Sequence, residues 1–186
     1  MAERWSAGKV IAALRGPEHL ESALRSPCGA VFLLSTTLSE LPQVVKRVQR
    51  AGKRAFVHMD LVQGLSSDEP GLEYLAGIAA PDGIISTRAQ LIRGARRLGI
   101  KAVYRVFILD SQALESGLQH VERSRPDVVE LLPGIIPSVI RRFRESFPHT
   151  AIIAGGLIRQ PSEVADALAA GADAISTGSV HLWQGA

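Results

Sequence analysis

The sequence predicts an α/β fold, a compact TIM-like (β/α)8 barrel with a short final helix. Three observations carry that prediction. Eight short runs rich in Val and Ile recur along the chain, amphipathic segments separate most of them, and a "helix, glycine, strand" joint repeats as AGKRAFV, LGIKAVY and AGADAIS. Near-continuous apolar runs mark strands buried on both faces of a parallel sheet. Eight alternating units with short connections favour a closed barrel over an open doubly wound sheet. Barrels of this kind usually need roughly 200 residues or more. At 186 residues, several helices must be short, and the final stretch SVHLWQGA leaves room for about two turns.

The predicted strands, in order, are KVIAAL (9–14), AVFLLS (30–35), RAFVHMD (54–60), DGIIST (82–87), KAVYRVFIL (101–109), DVVELLPG (127–134), AIIAGG (151–156) and DAISTG (173–178). Between the second and third lies SELPQVVKRVQRAGK, with Leu41, Val44, Val45 and Val48 on one helical face and Lys46, Arg47, Arg50 and Lys53 on the other. RAQLIRGARRLGIK turns Leu91, Ile92, Ala95 and Leu98 inward, and Gly99 stops it. PSEVADALAAGAD starts at Pro161, packs Val164, Ala167 and Leu168, and ends at Gly171. The polar stretch 63–76 is the longest break between a strand and a helix. Its Asp68 and Glu69 suit a helix N-terminus, and the stretch also has the length of a lid. No linker or low-complexity tract divides the chain, so residues 1–186 read as a single domain.

Composition excludes several classes. Hydrophobic residues make up 46% and charged residues 21%, the balance of a globular chain and not a disordered one. The lone Cys28 allows no internal disulfide, fits a reducing compartment and reads as a small buried hydrophobe. No signal sequence is visible and no apolar stretch reaches the ~20 residues of a membrane span, so a cytoplasmic protein without a membrane partner is expected. A net charge of +3 permits an anionic partner without requiring one. There is no His/Cys metal spacing, no nucleophile elbow and no Walker motif, so no metal, no cofactor and no catalytic residue is assigned.

Barrel ligands bind where the strands end, because the βα loops converge there. Strand seven ends in Gly155 and Gly156, and strand eight in Ser176, Thr177 and Gly178. The loops after these two strands, with a short helix start, commonly hold phosphate, and a helix N-terminus carries roughly half a positive charge. The alternative is that the two glycines form only a tight turn. Asp60, Arg105 and Glu130 are polar on otherwise apolar strands and suit ligand hydroxyls, although Arg105 and Glu130 would equally form a buried ion pair. His58 and Asp60 fall on the same side of an alternating strand, which makes His58 a further candidate.

The segments VFLLS, AFVHMDLVQGLSSDEPGLEYL, PDGIISTRAQLI, YRVFILDSQALESG, PDVVELLPGIIP and IIAGGLI, followed by ISTGS, resemble the glycerol-3-phosphate-responsive antiterminator family over about residues 9–180. The resemblance implies a regulator that senses glycerol 3-phosphate as effector, binds leader messenger RNA and lets transcription of glycerol-utilisation genes pass a terminator. It places Gly155, Gly156, Ser176, Thr177 and Gly178 at the phosphate, and Asp60, Arg105 and Glu130 at the glycerol end.

Candidate RNA-facing residues are Arg93, Arg96 and Arg97 on one helix, Lys46, Arg47 and Arg50 on a second, and Arg141, Arg142 and Arg144 on a third. RNA recognition draws on positive charge with exposed aromatics or arginine planes, whereas most such clusters are solvated surface. A homodimer would enlarge the basic surface. The runner-up is a barrel enzyme of isomerase, aldolase or epimerase type acting on a small phosphorylated substrate, with Asp60 or Glu130 as base. A phosphate-binding structural partner of another protein is a third option.

Overall fold

The computed structural model describes residues 9–184. Eight parallel strands close into a barrel in chain order: β1 (Val10–Leu14), β2 (Ala30–Leu33), β3 (Arg54–His58), β4 (Gly83–Ser86), β5 (Lys101–Phe107), β6 (Val128–Leu132), β7 (Ala151–Gly155) and β8 (Ala174–Thr177). Closure is made by β1 against β8, with Val10 opposite Ile175, Ile11 opposite Ser176 and Ala12 opposite Thr177. Alternate residues fill the barrel interior, where Ile11, Phe32, Phe56, Ile85, Val103 and Ile153 belong to one buried cluster. The intervening residues face the helices and form the larger cluster, among them Val31, Val57, Ile84, Val129 and Ile152. Burial on both faces is why the strands read as unbroken apolar runs. The one-domain expectation over 1–186 includes residues 1–8 and 185–186, which lie outside the described ones.

Among the described residues seven α-helices surround the barrel: α1 (Leu20–Arg25), α2 (Leu41–Arg50), α3 (Glu69–Ala79), α4 (Ala89–Arg97), α5 (Ser111–Ser124), α6 (Pro137–Ser146) and α7 (Pro161–Ala169). Leu41, Val45 and Val48 are buried on α2, and Leu91, Ile92 and Ala95 on α4, as their spacing requires. Leu98 departs from the predicted inward face. It is the C-cap residue of α4 and 45% exposed, because the helix has ended before its turn comes round. Lys53 departs in the other direction. The chain leaves α2 at Ala51, and Lys53 is drawn under the barrel, where its Nζ donates to the Ser26 and Cys28 carbonyls at 2.6 Å each. Asp68 caps α3 by accepting from Gly71 N at 2.9 Å.

In place of an eighth α-helix stands a five-residue 3₁₀ helix, Val180–Gln184, with Leu182 and Trp183 buried. Trp183 Nε1 donates to the Thr177 carbonyl at 2.8 Å. The rest of the two turns expected there falls on Gly185 and Ala186, outside the described residues. A second, two-stranded sheet pairs Thr36–Thr37 with Val62–Gln63 and ties together the loops after β2 and β3. Both strands are too short to leave a periodic signal.

At the barrel floor one device recurs. Asp82, Asp127 and Asp173 stand just before β4, β6 and β8, and each accepts the backbone N–H of Ala55, Ala102 or Ile152 near the start of the preceding strand, at 2.8–3.0 Å. Each such carboxylate satisfies an amide that the ladder leaves unpaired at the sheet's lower edge.

Candidate functional site

Two residues beyond the interior cluster, the same inward-facing positions turn polar. Phe56 is followed by His58, Val103 by Arg105, Val128 by Glu130, Ile153 by Gly155 and Ala174 by Ser176. They make one layer across the top of the barrel. Arg105 Nε donates to Glu130 Oε2 at 2.7 Å, and Ser176 Oγ donates to Glu130 Oε1 at 2.5 Å. The side chains of Arg105 and Glu130 are only 7% and 1% exposed, so the buried ion pair weighed from sequence is present. Both carboxylate oxygens are bonded, which is the condition under which a buried charge is tolerated. The remaining guanidinium nitrogens of Arg105 have no bonding partner among the described residues.

Above this layer opens a cavity of about 540 Å³, bounded by the loops after β1, β7 and β8. That volume lies in the range of small-molecule sites. Of the residues singled out from sequence, Gly156, Ser176, Thr177, Gly178, Arg105 and Glu130 line it. The others do not, for reasons the geometry makes plain.

Gly155 lies beneath the wall. A Cβ there would stand 2.7 Å from Glu130 Oε1 and closer still to Ser176 Oγ, so this glycine makes room for the polar layer. Gly156 serves a different need: its φ is +74°, in the left-handed region that glycine enters freely. Thr177 lines the cavity, but its hydroxyl points into the loop structure, donating to the Ile158 carbonyl at 2.8 Å and accepting from Ser179 N at 3.1 Å. It bolts the β7 loop to the β8 loop.

Strand alternation predicts that His58 and Asp60 point the same way, but β3 ends at His58 and the chain enters a 3₁₀ turn, Met59–Leu61. Asp60 is therefore redirected. Its carboxylate accepts from Ser86 Oγ at 2.9 Å and from Thr87 N at 2.7 Å, and it is off the cavity wall. His58 is 4% exposed and also off the wall, with its Nδ1 lacking any hydrogen-bond partner. Burial, and next the Arg105 guanidinium, lower its pKa to about 4, so the imidazole is neutral near pH 7.

The cavity also brings in cations that the strand-end survey missed. Arg15, directly after β1, and Arg159, in the loop after β7, line it, and neither makes an ion pair or side-chain hydrogen bond among the described residues. The signal available in the sequence was position: each arginine falls within a few residues of a strand's C-terminal end. The helix-dipole contribution expected after β8 falls away, because a five-residue 3₁₀ helix aligns too few peptide units. Positive potential at the site comes from side chains instead.

The helix arginines divide in two. Arg93 and Arg96 on α4, Lys46 and Arg50 on α2, and Arg141 and Arg142 on α6 are exposed. Arg47 pairs with Glu21 and Arg97 with Glu69. Arg144, proposed from sequence as RNA-facing, is turned to structure. Its Nε donates to the Gly171 carbonyl at 3.0 Å, its Nη1 to the Thr150 carbonyl at 3.0 Å, and its Nη2 meets Asp173 at 2.5 Å. Among the described residues no His/Cys/Asp/Glu group could hold a metal, and no helix is long and apolar enough to cross a membrane.

Comparison with known proteins sharpens this picture. The Escherichia coli K12 protein YgcP is 35% identical over 174 residues, covering 94% of this chain and 91% of its own. The glycerol uptake operon antiterminator regulatory protein of Listeria monocytogenes shares the fold at a TM-score of 0.91 and 36% identity, covering 95% of both chains. A glycerol uptake operon antiterminator-related protein of Thermotoga maritima matches at 0.84 and 36%, covering 94% of this chain and 97% of its own. Aldolase barrels at 12–15% identity are alike in fold alone. The sequence profile described as "Glycerol-3-phosphate responsive antiterminator" matches residues 10–183, and the chain belongs to that family of regulators.

Proposed function

We propose that this protein is a cytoplasmic transcription antiterminator that binds glycerol 3-phosphate in the cavity at the barrel mouth and, so loaded, binds leader mRNA of glycerol-utilisation genes. The observation that carries the effector site is the layering: a small cavity whose floor is the Arg105–Glu130–Ser176 network and whose rim carries Arg15 and Arg159, neither in an ion pair among the described residues. A glycerol phosphate asks for that division. Its anionic end is drawn to Arg15 and Arg159 beside the Gly156 and Gly178 turns, where backbone can approach closely. Its hydroxyls meet the free guanidinium edge of Arg105 and the Ser176–Glu130 pair. His58 and Asp60 support from behind: Asp60 by fixing the Ser86–Thr87 corner, His58 as a neutral neighbour that adds no charge beside Arg105.

Regulation, and not turnover, suits the carboxylates. A general base needs a free oxygen within reach of the proton it removes. Both Glu130 oxygens are engaged, and Asp60 is turned to Ser86 and Thr87. The test is titration of a leader transcript with the protein, with and without saturating glycerol 3-phosphate. RNA affinity should rise severalfold with effector, and by linkage effector affinity should rise equally with RNA. Equal RNA affinities in both conditions would end the switch reading, and turnover of glycerol or triose phosphates would favour the enzyme.

A further inference from the structure

Among the described residues two carboxylates line the cavity, Glu130 on its floor and Glu18 on the loop after β1. Both oxygens of Glu130 are bonded, to Arg105 and to Ser176. Glu18 is the reverse case: it is exposed and makes no ion pair or hydrogen bond among the described residues. Its position is nevertheless defined by its neighbours. Gly16 has φ −175° and ψ −179°, extended backbone that any residue adopts, so its conformation does not call for glycine. Space does. A Cβ on Gly16 would stand 2.9 Å from Glu18 Oε1 and closer still to Oε2, so the carboxylate lies back over the Gly16 Cα, where another residue would begin its side chain. Gly16 and Glu18 both line the cavity, and the fold-back holds the acid against that wall. Helix-start chemistry does not account for it: α1 has six residues, and neither Gly16 nor His19 forms a side-chain cap bond. The loop is braced from behind by His19, whose ring meets the buried Trp183 edge-on at 6.3 Å between centroids.

Hydrogen-bond chemistry says what such a group can face. An ionised carboxylate accepts and donates nothing, whereas each hydroxyl of a bound polyol has a proton to give as well as lone pairs to fill. Arg105, Arg15 and Arg159 donate only, so they serve the ligand's lone pairs and its phosphate and leave the hydroxyl protons unmet. Glu18 is the charged acceptor of the cavity that the fold has not engaged. A ligand carrying a carboxylate in place of that hydroxyl meets like charge instead. Glu130 and Glu163 keep their charges while hydrogen-bonded to Ser176 and to Arg159 N, and they act in the same sense.

We propose that Glu18 is the specificity-determining residue of the effector site: its carboxylate, seated over Gly16, takes the hydroxyl protons of a polyol phosphate and turns away phosphorylated hydroxy acids. This rests on the effector-binding reading above and deepens it, from a small phosphate ester to one whose far end is uncharged.

The experiment is isothermal titration of the full chain at physiological salt, with glycerol 3-phosphate, 3-phosphoglycerate and inorganic phosphate as probes. Wild type should prefer glycerol 3-phosphate to 3-phosphoglycerate. Glu18→Gln should weaken the first about fivefold and strengthen the second about fivefold, so the preference shrinks about 25-fold, the scale of one exposed charged hydrogen bond lost and one like-charge contact relieved. Inorganic phosphate should change less than about threefold. Gly16→Ala keeps the charge but unseats it. Because the crowded atoms are the tip of a flexible side chain, that variant should melt within about 2 °C of wild type, yet its preference should fall about threefold or more. An unchanged preference in either variant would overturn the assignment. So would equal gains for all three probes in Glu18→Gln, which would reduce Glu18 to a share of the net charge. Turnover of glycerol 3-phosphate that Glu18→Gln abolishes would also overturn it, by making Glu18 a base. A wild type that binds glycerol 3-phosphate and 3-phosphoglycerate equally would overturn it and leave the effector reading standing. A folded wild type that binds no glycerol 3-phosphate would instead remove that reading, and the assignment with it.

Discussion

Gly155→Ala is the sharpest probe of the layer beneath the cavity. The added methyl would stand 2.7 Å from Glu130 Oε1 and closer to Ser176 Oγ, so one of the two must move. Rotating Ser176 away is the smaller adjustment, since it changes one torsion. It forfeits a hydrogen bond to a charged group, worth about 1.5–3 kcal/mol. Moving Glu130 instead would part it from Arg105, and a broken buried pair costs about 3–5 kcal/mol. The cheaper route sets the expectation at about 2–3 kcal/mol. For a domain of this size each kcal/mol lowers Tm by roughly 2–4 °C, so the fall should be about 5–10 °C. Glycerol 3-phosphate affinity should drop about tenfold, because Ser176 and Arg105 both lie on the cavity wall. Gly156→Ala is the internal comparison. The atoms nearest its new Cβ belong to the Leu132 side chain, and its main penalty comes from φ +74°, about 1–2 kcal/mol. Calorimetric melting and isothermal titration read both quantities. A Gly155→Ala protein that melts within 2 °C of wild type, with unchanged effector affinity, would refute the reasoning.

Thr177→Val removes the bolt between the β7 and β8 loops and leaves the Ile158 carbonyl with only a weak bond from Ser179 Oγ at 3.4 Å. It should cost about 1–2 kcal/mol in urea unfolding and weaken effector binding, and unchanged binding would show that the bolt does not shape the site. His58 gives a pH signature. Its folded pKa of about 4 lies below the unfolded value of about 6.5, so the unfolded chain takes up the proton first as pH falls. Stability is full above about pH 6.5 and is lost progressively down to about pH 4, by up to about 3 kcal/mol. His58→Asn should flatten that slope, and a His58 resonance titrating near 6.5 by NMR would contradict it. Arg159→Gln leaves the hydrogen bonds of the fold among the described residues in place, because the backbone N–H and carbonyl of residue 159 make its contacts to Glu163 and His181. It should spare Tm and weaken glycerol 3-phosphate more than glycerol, which competition titration measures; equal losses for the two ligands would detach Arg159 from the anion.

The strands were legible because burial on both faces forces continuous apolar runs, and glycines at αβ joints marked where helices stop. Short elements were not. The six residues of α1 make under two turns, and the Thr36–Thr37 pair has no period to detect. In the site, the polar residues on apolar strands were visible, but their division of tasks was not. Asp60 was misdirected in the sequence reading because alternation does not survive a 3₁₀ turn. Gly155 looked like part of an anion turn, yet its smallness answers to Glu130 and Ser176, which lie 25 and 21 residues away along the chain. Arg15 and Arg159 escaped notice because loop arginines are common, and only the folded loops bring these two to one cavity.

Asp82, Asp127 and Asp173 have a consequence for how this barrel can vary. Each fixes the slide of an even strand against the odd strand before it, and does so at the floor, far from the mouth. The stagger that closes eight strands into a cylinder is thus indexed from below. Loops at the opposite rim can then be lengthened, shortened or exchanged without resetting the tilt of the wall that bears them. Relatives of this protein should tolerate transplanted upper loops and reject changes at those three aspartates, which makes the floor the natural boundary for grafting a new effector preference onto the same staves.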